Sequence, residues 1–338
     1  MSSELCVRAC LEVCIPTYKR PEGAIKAALS IVDQIAPSNE VNVIISIAED
    51  HGLPGDFELI KESLKNYNNI SLSNNKKNKG MSLNIHDMLK ASRADYILML
   101  TDDDWLSPGA LTTISKLIQA DDFDILYGPR NSYTEDGNLF TIATDTFKES
   151  KIISGSPLNC GRYSDNFFIL SGLVIKSKKI DFDLWSKNID NAFFPIIFGY
   201  SAFKSGRCIF YKESFVHHMV LNKCHWESWG SDNFAQNLRL AKDSFAALNI
   251  LVDSNQPLLA KLACLIGTLP ARVRHLINSV WFGAFTAKPA NSTYLKKYLF
   301  IFISNTYNLL SLILLPIEIL SNVKRMFVKY VLKRIDAS

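Results

Sequence analysis

The sequence predicts an α/β fold: a mostly parallel sheet flanked by helices, followed by a C-terminal helical extension. Three observations predict it. Strand-like and helix-like segments alternate through the first 130 residues, a spacing that right-handed crossovers turn into a parallel sheet. The polar, chemistry-bearing stretches fall at the ends of the strand-like runs. Beyond residue 231 the signals are mostly helical. With 48% hydrophobic and 21% charged residues over 338 positions, the chain can bury a sizeable core. A net charge of +4 excludes a polybasic nucleic-acid binder.

The elements follow in order. LEVCIP (11–16) is an apolar strand ended by proline. In the segment after it (21–36), Pro21 suits a first helical position and Ile25, Ala28, Leu29, Val32 and Ile35 form one helical face. VNVIISIA (41–48) is β-branched, as in a strand buried on both faces. Segment 55–67 reads as helix, 69–73 as a short strand, 81–92 as helix and 95–100 as strand. Ser107 and Pro108 then read as N-cap and first residue of another helix, and 123–128 as one more strand.

From 131 to 230 the pattern loosens and aromatic residues are dense. NLFTIAT, FFILSGLVIKS and RCIFYKESFVHHMV read as strands, and the segment after Asp190 as a helix running to Gly206 despite Pro195. This gives three regions: 1–130 carrying the converging strand ends, 131–230 shaping a second pocket, and 231–338 helical. Residues 295–320 are strongly apolar, with Lys296 and Lys297 before and Lys324, Arg325, Lys329, Lys333 and Arg334 after. Asn305, Asn308, Pro316 and Glu318 argue against a clean span. The pattern suits a helix lying in a membrane interface; a helix packed on its own domain is the alternative. Seven scattered cysteines and no leader-like start suggest reduced thiols in a cytosolic protein. Neither Cys6, Cys10 and Cys14 nor the group His217, His218, Cys224 and His225 fits a common zinc pattern.

The strand ends carry the chemistry. In LMLTDDDWLSPGAL (98–111), Asp102, Asp103 and Asp104 stand side by side after a buried strand. Adjacent carboxylates repel, and burial adds to the cost. Asp102 and Asp104 can point at one ion, with Asp103 directed elsewhere; hard oxygen ligands suit Mg²⁺ or Mn²⁺. With Ser107 already capping the next helix, an acidic cap does not explain three acids. Lys76, Lys77 and Lys79 beside Gly80 lie between strand and helix, where phosphates can approach, and Asn84 sits one turn into that helix. Pro16, Thr17 and Tyr18 offer a fixed turn, a hydroxyl and a ring; an ordinary turn explains them equally well.

LEVCIPTYKRPEGAIKAALSIVDQ, NKGMSLN and DYILMLTDDDWLSPGAL, in that order, resemble the family 2 glycosyltransferases of GT-A fold. The likeness is to bacterial enzymes that build surface polysaccharides, including the abequosyltransferase-like branch, and covers about the first 130 residues. It implies a nucleotide-binding turn at Pro16, Thr17 and Tyr18. It also implies an acidic contact to the base at Glu49 or Asp50, a phosphate and ribose region at Lys79, Gly80 and Asn84, and an Asp-x-Asp motif within Asp102–Asp104. Many members place an acid where this chain has Thr101. The resemblance further implies an inverting transfer from a nucleotide-diphosphate sugar to a saccharide acceptor, with Asp190 the first candidate for general base. His217 and His218 come second, as base or extra metal contact. A lipid-linked acceptor would place the protein in the cytoplasm, peripherally on the inner face of the membrane. Sugar transfer to a polyprenyl phosphate, or an inactive GT-A-like binding protein, are the competing readings.

Overall fold

In a computed structural model of the chain, the residues described are 8–35, 41–120, 123–134, 139–142, 149–220, 234–254 and 257–285. The apolar segment 295–320, Cys6, Cys224 and His225 lie outside them. The chain divides into two compact units, Met1–Gly155 with Asn166–Cys224, and Ser156–Asp165 with His225–Ser338. Among the described residues no helix is long and apolar enough to cross a membrane.

The first unit begins with the alternation expected from sequence: β1 (Cys10–Thr17), α1 (Pro21–Val32), β2 (Asn42–Glu49), α2 (Asp56–Leu64), β3 (Ile70–Asn74), α3 (Met81–Ala91) and β4 (Tyr96–Met99). These strands are parallel in the order β3-β2-β1-β4. Seven of the eight residues of β1 and all four of β4 are buried, which is why they read as continuous apolar runs. Chain order reverses at β1, with β2 and β3 on one side and β4 on the other. Loops leaving a sheet at such a switch point diverge and open a crevice beyond the carboxyl ends of the strands. Thr17 and Asp102, leaving β1 and β4, face each other across that point.

The chain continues through β5 (Asp104–Leu106), α4 (Ala110–Ala120), β6 (Ile125–Tyr127), β7 (Arg130–Thr134), β8 (Leu139–Ile142), β9 (Lys151–Ser154), α5 (Pro157–Tyr163, in the second unit), β10 (Leu173–Lys176), α6 (Phe182–Ser186), α7 (Phe194–Phe203), β11 (Arg207–Phe210) and β12 (Val216–Val220). The main sheet extends past β4 as β10-β6-β11-β9, with β10 antiparallel to both β4 and β6. A second sheet runs β5-β12-β7-β8.

Several elements differ from the sequence reading. Ser107 does not cap a helix: residues 104–106 are drawn into β5 by pairing with β12, and a turn follows in which Gly109 takes φ 78° before α4 opens at Ala110. The Ser107 hydroxyl is buried with no hydrogen-bond partner among the described residues. FFILSGLVIKS is strand only over β10. Ser164–Phe168 is a 3₁₀ helix, and Gly172, at φ 88°, makes the turn between them. A Cβ on Gly172 would meet the Gly128 carbonyl oxygen at 2.6 Å, so the turn is closed to other residues. Pro195 lies in the first turn of α7, where its missing N–H is no loss, and the helix ends at Phe203 rather than Gly206.

The face of α1 is also rotated. Its fully buried residues are Pro21, Ala24, Ala27, Ala28 and Ile31, whereas Ile25, Leu29 and Val32 are half-buried and Ile35 is 37% exposed. Small residues let α1 sit close to the chain carrying the acids. Gly23, Lys26, Ser30 and Gln34, three or four residues apart, follow that chain upward. A Cβ on Gly23 would lie 2.1 Å from the Asp102 carbonyl oxygen. The Lys26 ammonium stands 3.5 Å from the Trp105 ring centroid. Ser30 Oγ accepts from Leu106 N–H at 3.0 Å, and Gln34 Oε1 from Leu111 N–H at 3.2 Å.

The second unit contains α5, α8 (Phe234–Asp253) and α9 (Leu258–Phe285). Gly161 lets α5 meet α9: a Cβ there would lie 2.2 Å from the Cys264 carbonyl oxygen.

Replacing Gly23 with alanine forces its methyl into the Asp102 carbonyl. Overpacking of this kind costs roughly 1–3 kcal/mol. Gly23→Ala is therefore expected to lower the denaturant midpoint. An unchanged midpoint would mean that α1 does not seat against the acidic loop.

Candidate active site

The turns leaving β1, β2 and β3 are tied together by groups expected to contact a nucleotide. Asp50, buried, accepts at Oδ1 from Lys79 N–H (2.9 Å) and Asn75 Nδ2 (2.9 Å), and at Oδ2 from Gly80 N–H (2.8 Å). It therefore fixes the basic loop. Asn84 donates to the Ala48 carbonyl at 3.1 Å and accepts from Asn75 at 2.8 Å. Glu49 holds its own turn, accepting from the N–H groups of His51 and Gly52. These side chains fasten backbone, and they leave the exposed Tyr18 ring and the open space around Gly80 at the mouth. Pro16 is buried within β1.

The three aspartates turn three ways. Asp102 faces β1: Thr17 Oγ1 donates to its Oδ2 at 2.8 Å, Tyr18 N–H reaches the same oxygen at 3.4 Å, and Arg20 Nη1 donates to Oδ1 at 3.1 Å. Burial raises the Asp102 carboxyl from 3.8 to about 6, against the pull of Arg20; the negative charge of Asp103 pushes the same way as burial. Asp103 lies 3.5 Å from Arg20 Nη1 and accepts from Thr101 Oγ1 at 2.7 Å. Asp104, buried, is approached by Thr101 Oγ1 at 3.0 Å and by His218 Nδ1 at 2.6 Å.

The last contact follows from strand register. β12 runs antiparallel to β5 with His218 opposite Asp104 and His217 opposite Trp105. Alternation along a strand sends the two histidines to opposite faces. His218 joins Asp103 and Asp104, and these three each offer a ligand atom within 4.8 Å of the others. Two carboxylates and an imidazole converging at a strand end make a donor set that a divalent cation fits. His217 instead packs edge-on to Trp105 and against Tyr133. Burial, together with the Lys26 charge, holds its pKa below 6.5.

The sequence reading paired Asp102 with Asp104 and directed Asp103 elsewhere. The fold gathers Asp103 and Asp104 with His218 and sends Asp102 to Thr17 and Arg20. Asp190 is exposed in the turn between α6 and α7, four residues before the helix begins at Phe194. Sequence reasoning passed over Arg20 and Ser171. Arg20 had a signal, being a lone guanidinium in PTYKRP at a strand end opposite an acidic run. Ser171 had none, because it meets Thr101 only through the fold.

Comparison with known proteins bears on the family and the fold. The family model for glycosyl transferase family 2 matches residues 12–181. Poly(ribitol-phosphate) beta-N-acetylglucosaminyltransferase TarP of Staphylococcus aureus (strain N315) is 24% identical over 247 residues, 71% of this chain and 70% of that protein. Two crystal structures of S. aureus TarS 1–349 share the fold at 14% identity. One, in complex with UDP-GlcNAc, has a TM-score of 0.52 and covers 86% of this chain and 90% of that chain. The other has a TM-score of 0.50 and covers 86% and 89%.

The Asp102 carboxyl titrates higher in the folded than in the unfolded chain. Its protonation therefore favours the fold at low pH, a contribution present below 3.8 and lost as pH rises through about 6. Its size is about 3 kcal/mol. In chelator-treated protein, the stability of Asp102→Asn relative to wild type is expected to improve by roughly that amount between pH 4 and pH 7 in denaturant titrations. Parallel pH profiles would contradict the assignment.

Proposed function

This chain belongs to glycosyl transferase family 2, and on that premise we propose that it moves a sugar from a nucleotide-diphosphate donor to the saccharide end of a cell-surface polymer, with inversion. The observation that carries the reading is the convergence of Asp103, Asp104 and His218 at the crevice between β1 and β4. Asp103, Asp104 and His218 would hold a divalent cation; the imidazole favours Mn²⁺ over Mg²⁺, which prefers oxygen. When bound, that cation supplies positive charge to the departing diphosphate.

The chain's own residues do the rest. Tyr18 and the Thr17 turn meet the nucleoside, and the loop fixed by Asp50 brings Lys79 and Gly80 to the phosphate side. Arg20 holds Asp102 and Asp103 apart from the other turns, keeping the acidic loop in register with β1. The acceptor hydroxyl attacks the anomeric carbon as the bond to the diphosphate breaks and the diphosphate leaves with the electron pair of that bond. Asp190 takes the hydroxyl proton; His218 is engaged with Asp104, and His217 faces the aromatic side of the strand.

The name of TarP and the TarS complex with UDP-GlcNAc make UDP-N-acetylglucosamine the first donor to test, and the name of TarP makes poly(ribitol phosphate) an acceptor to set beside lipid-linked saccharides. The run of three aspartates supports the abequosyltransferase-like branch as a second donor class, that of deoxysugars. The apolar segment 295–320 with its basic flanks supports peripheral attachment to the inner face of the membrane, where a lipid-linked acceptor resides.

Turnover of nucleotide sugars with Mn²⁺ tests this reading. Asp104→Asn and His218→Ala are expected to lower turnover by about 10²–10³-fold, the scale of losing a preorganised charge-stabilising group. Asp190→Asn should lower kcat by about 10²–10⁴-fold with KM little changed. Wild-type rates in these variants would contradict the roles given to those residues. Removing residues 294–338 should shift the protein from the membrane to the soluble fraction; continued sedimentation with membranes would contradict the attachment.

A further inference from the structure

We propose that Thr101 and Ser171 form a hydroxyl relay that positions the two carboxylates of the cation site through one shared proton. The inference rests on the cation reading above. Thr101 Oγ1 has three oxygen neighbours: Asp103 Oδ1 at 2.7 Å, Asp104 Oδ2 at 3.0 Å and Ser171 Oγ at 2.8 Å. It carries one hydrogen. Ser171 is buried in the turn before β10, and its Oγ accepts from the Thr101 N–H at 2.9 Å. That leaves the Ser171 hydrogen to point at Thr101 Oγ1, which orients the Thr101 hydrogen toward the carboxylates.

One hydrogen can serve only one of them. With Asp103 satisfied, Asp104 Oδ2 faces an oxygen lone pair at 3.0 Å, and with Asp104 satisfied, Asp103 does so at 2.7 Å. The pair is thus held close by a donor that is one proton short, and a bound cation would supply the positive charge that is missing. Thr101 adds no charge of its own. The site carries the two negative charges of Asp103 and Asp104, where an acid at 101 would make a third. Thr101 and Ser171 are positioning residues that act through Asp103 and Asp104. Outer-shell hydrogen bonds of this kind typically contribute 10–100-fold to metal affinity.

The test is the Mn²⁺ dissociation constant of the chelator-treated full chain, read from the EPR signal of free Mn²⁺ without nucleotide. The melting temperature of each metal-free variant serves as the check on folding. Thr101→Val is expected to weaken binding about 10-fold or more, and Ser171→Ala to weaken it less. The double variant should be no worse than Thr101→Val alone, because Ser171 works through Thr101, and Thr101→Ser should restore wild-type affinity. If Thr101→Val does not fold, Ser171→Ala decides. Wild-type protein that binds no Mn²⁺ would overturn the cation reading itself. Wild-type protein that binds it, with the folded variants within twofold, would overturn the relay and leave the cation reading standing. Additive losses in the double variant would also overturn the relay.

Discussion

Three carboxylates in succession at the end of a buried strand repel one another, and the molecule is organised around separating them. At an effective dielectric of 20, two such charges 4 Å apart cost about 4 kcal/mol. A hydrogen bond to a charged group returns roughly 1.5–3 kcal/mol. The acids accordingly turn to different partners: Asp102 takes Thr17 and Arg20, Asp103 takes Thr101 and shares the same Arg20 nitrogen, and Asp104 takes His218. The antiparallel register of β5 and β12 makes the last pairing possible, bringing together residues 114 positions apart. A slip of one residue would turn His218 to the aromatic face and put His217 in its place.

Helix α1 supports that register from behind. Its Gly23, Lys26 and Ser30, with Gln34 just beyond its end, address the chain from Asp102 to Leu111, through a close backbone approach, a cation over a ring and two hydrogen bonds. The same helix begins at the turn that carries Thr17, Tyr18 and Arg20. The nucleotide side and the acidic side of the crevice are thus set by one rigid element.

Much of the first unit was legible in the sequence because its signals are local. Continuous apolar runs announced β1, β2 and β4, and proline at the first helical position announced α1. The convergence of strand ends followed from the alternation alone. The split of the three aspartates was not legible, since it depends on β5, a strand of three residues that exists only by pairing with β12. Locally, Asp104–Leu106 followed by Ser-Pro reads as a turn and a capped helix, and long-range pairing overrides that preference. Ser171 was hidden for the same reason. The rotation of α1 escaped notice because alanine and glycine carry little hydrophobic signal, yet their small size is what allows the close approach.

In the proposed function, β5 and β12 together present a cation site of mixed oxygen and nitrogen donors. Electron spin-echo envelope modulation of the Mn²⁺-loaded protein tests it most directly, because a coordinated imidazole nitrogen modulates the echo. The wild type is expected to show ¹⁴N modulation that disappears in His218→Gln while Mn²⁺ remains bound at higher concentration. Bound Mn²⁺ with no nitrogen modulation in the wild type, or modulation unaffected by the substitution, would contradict it.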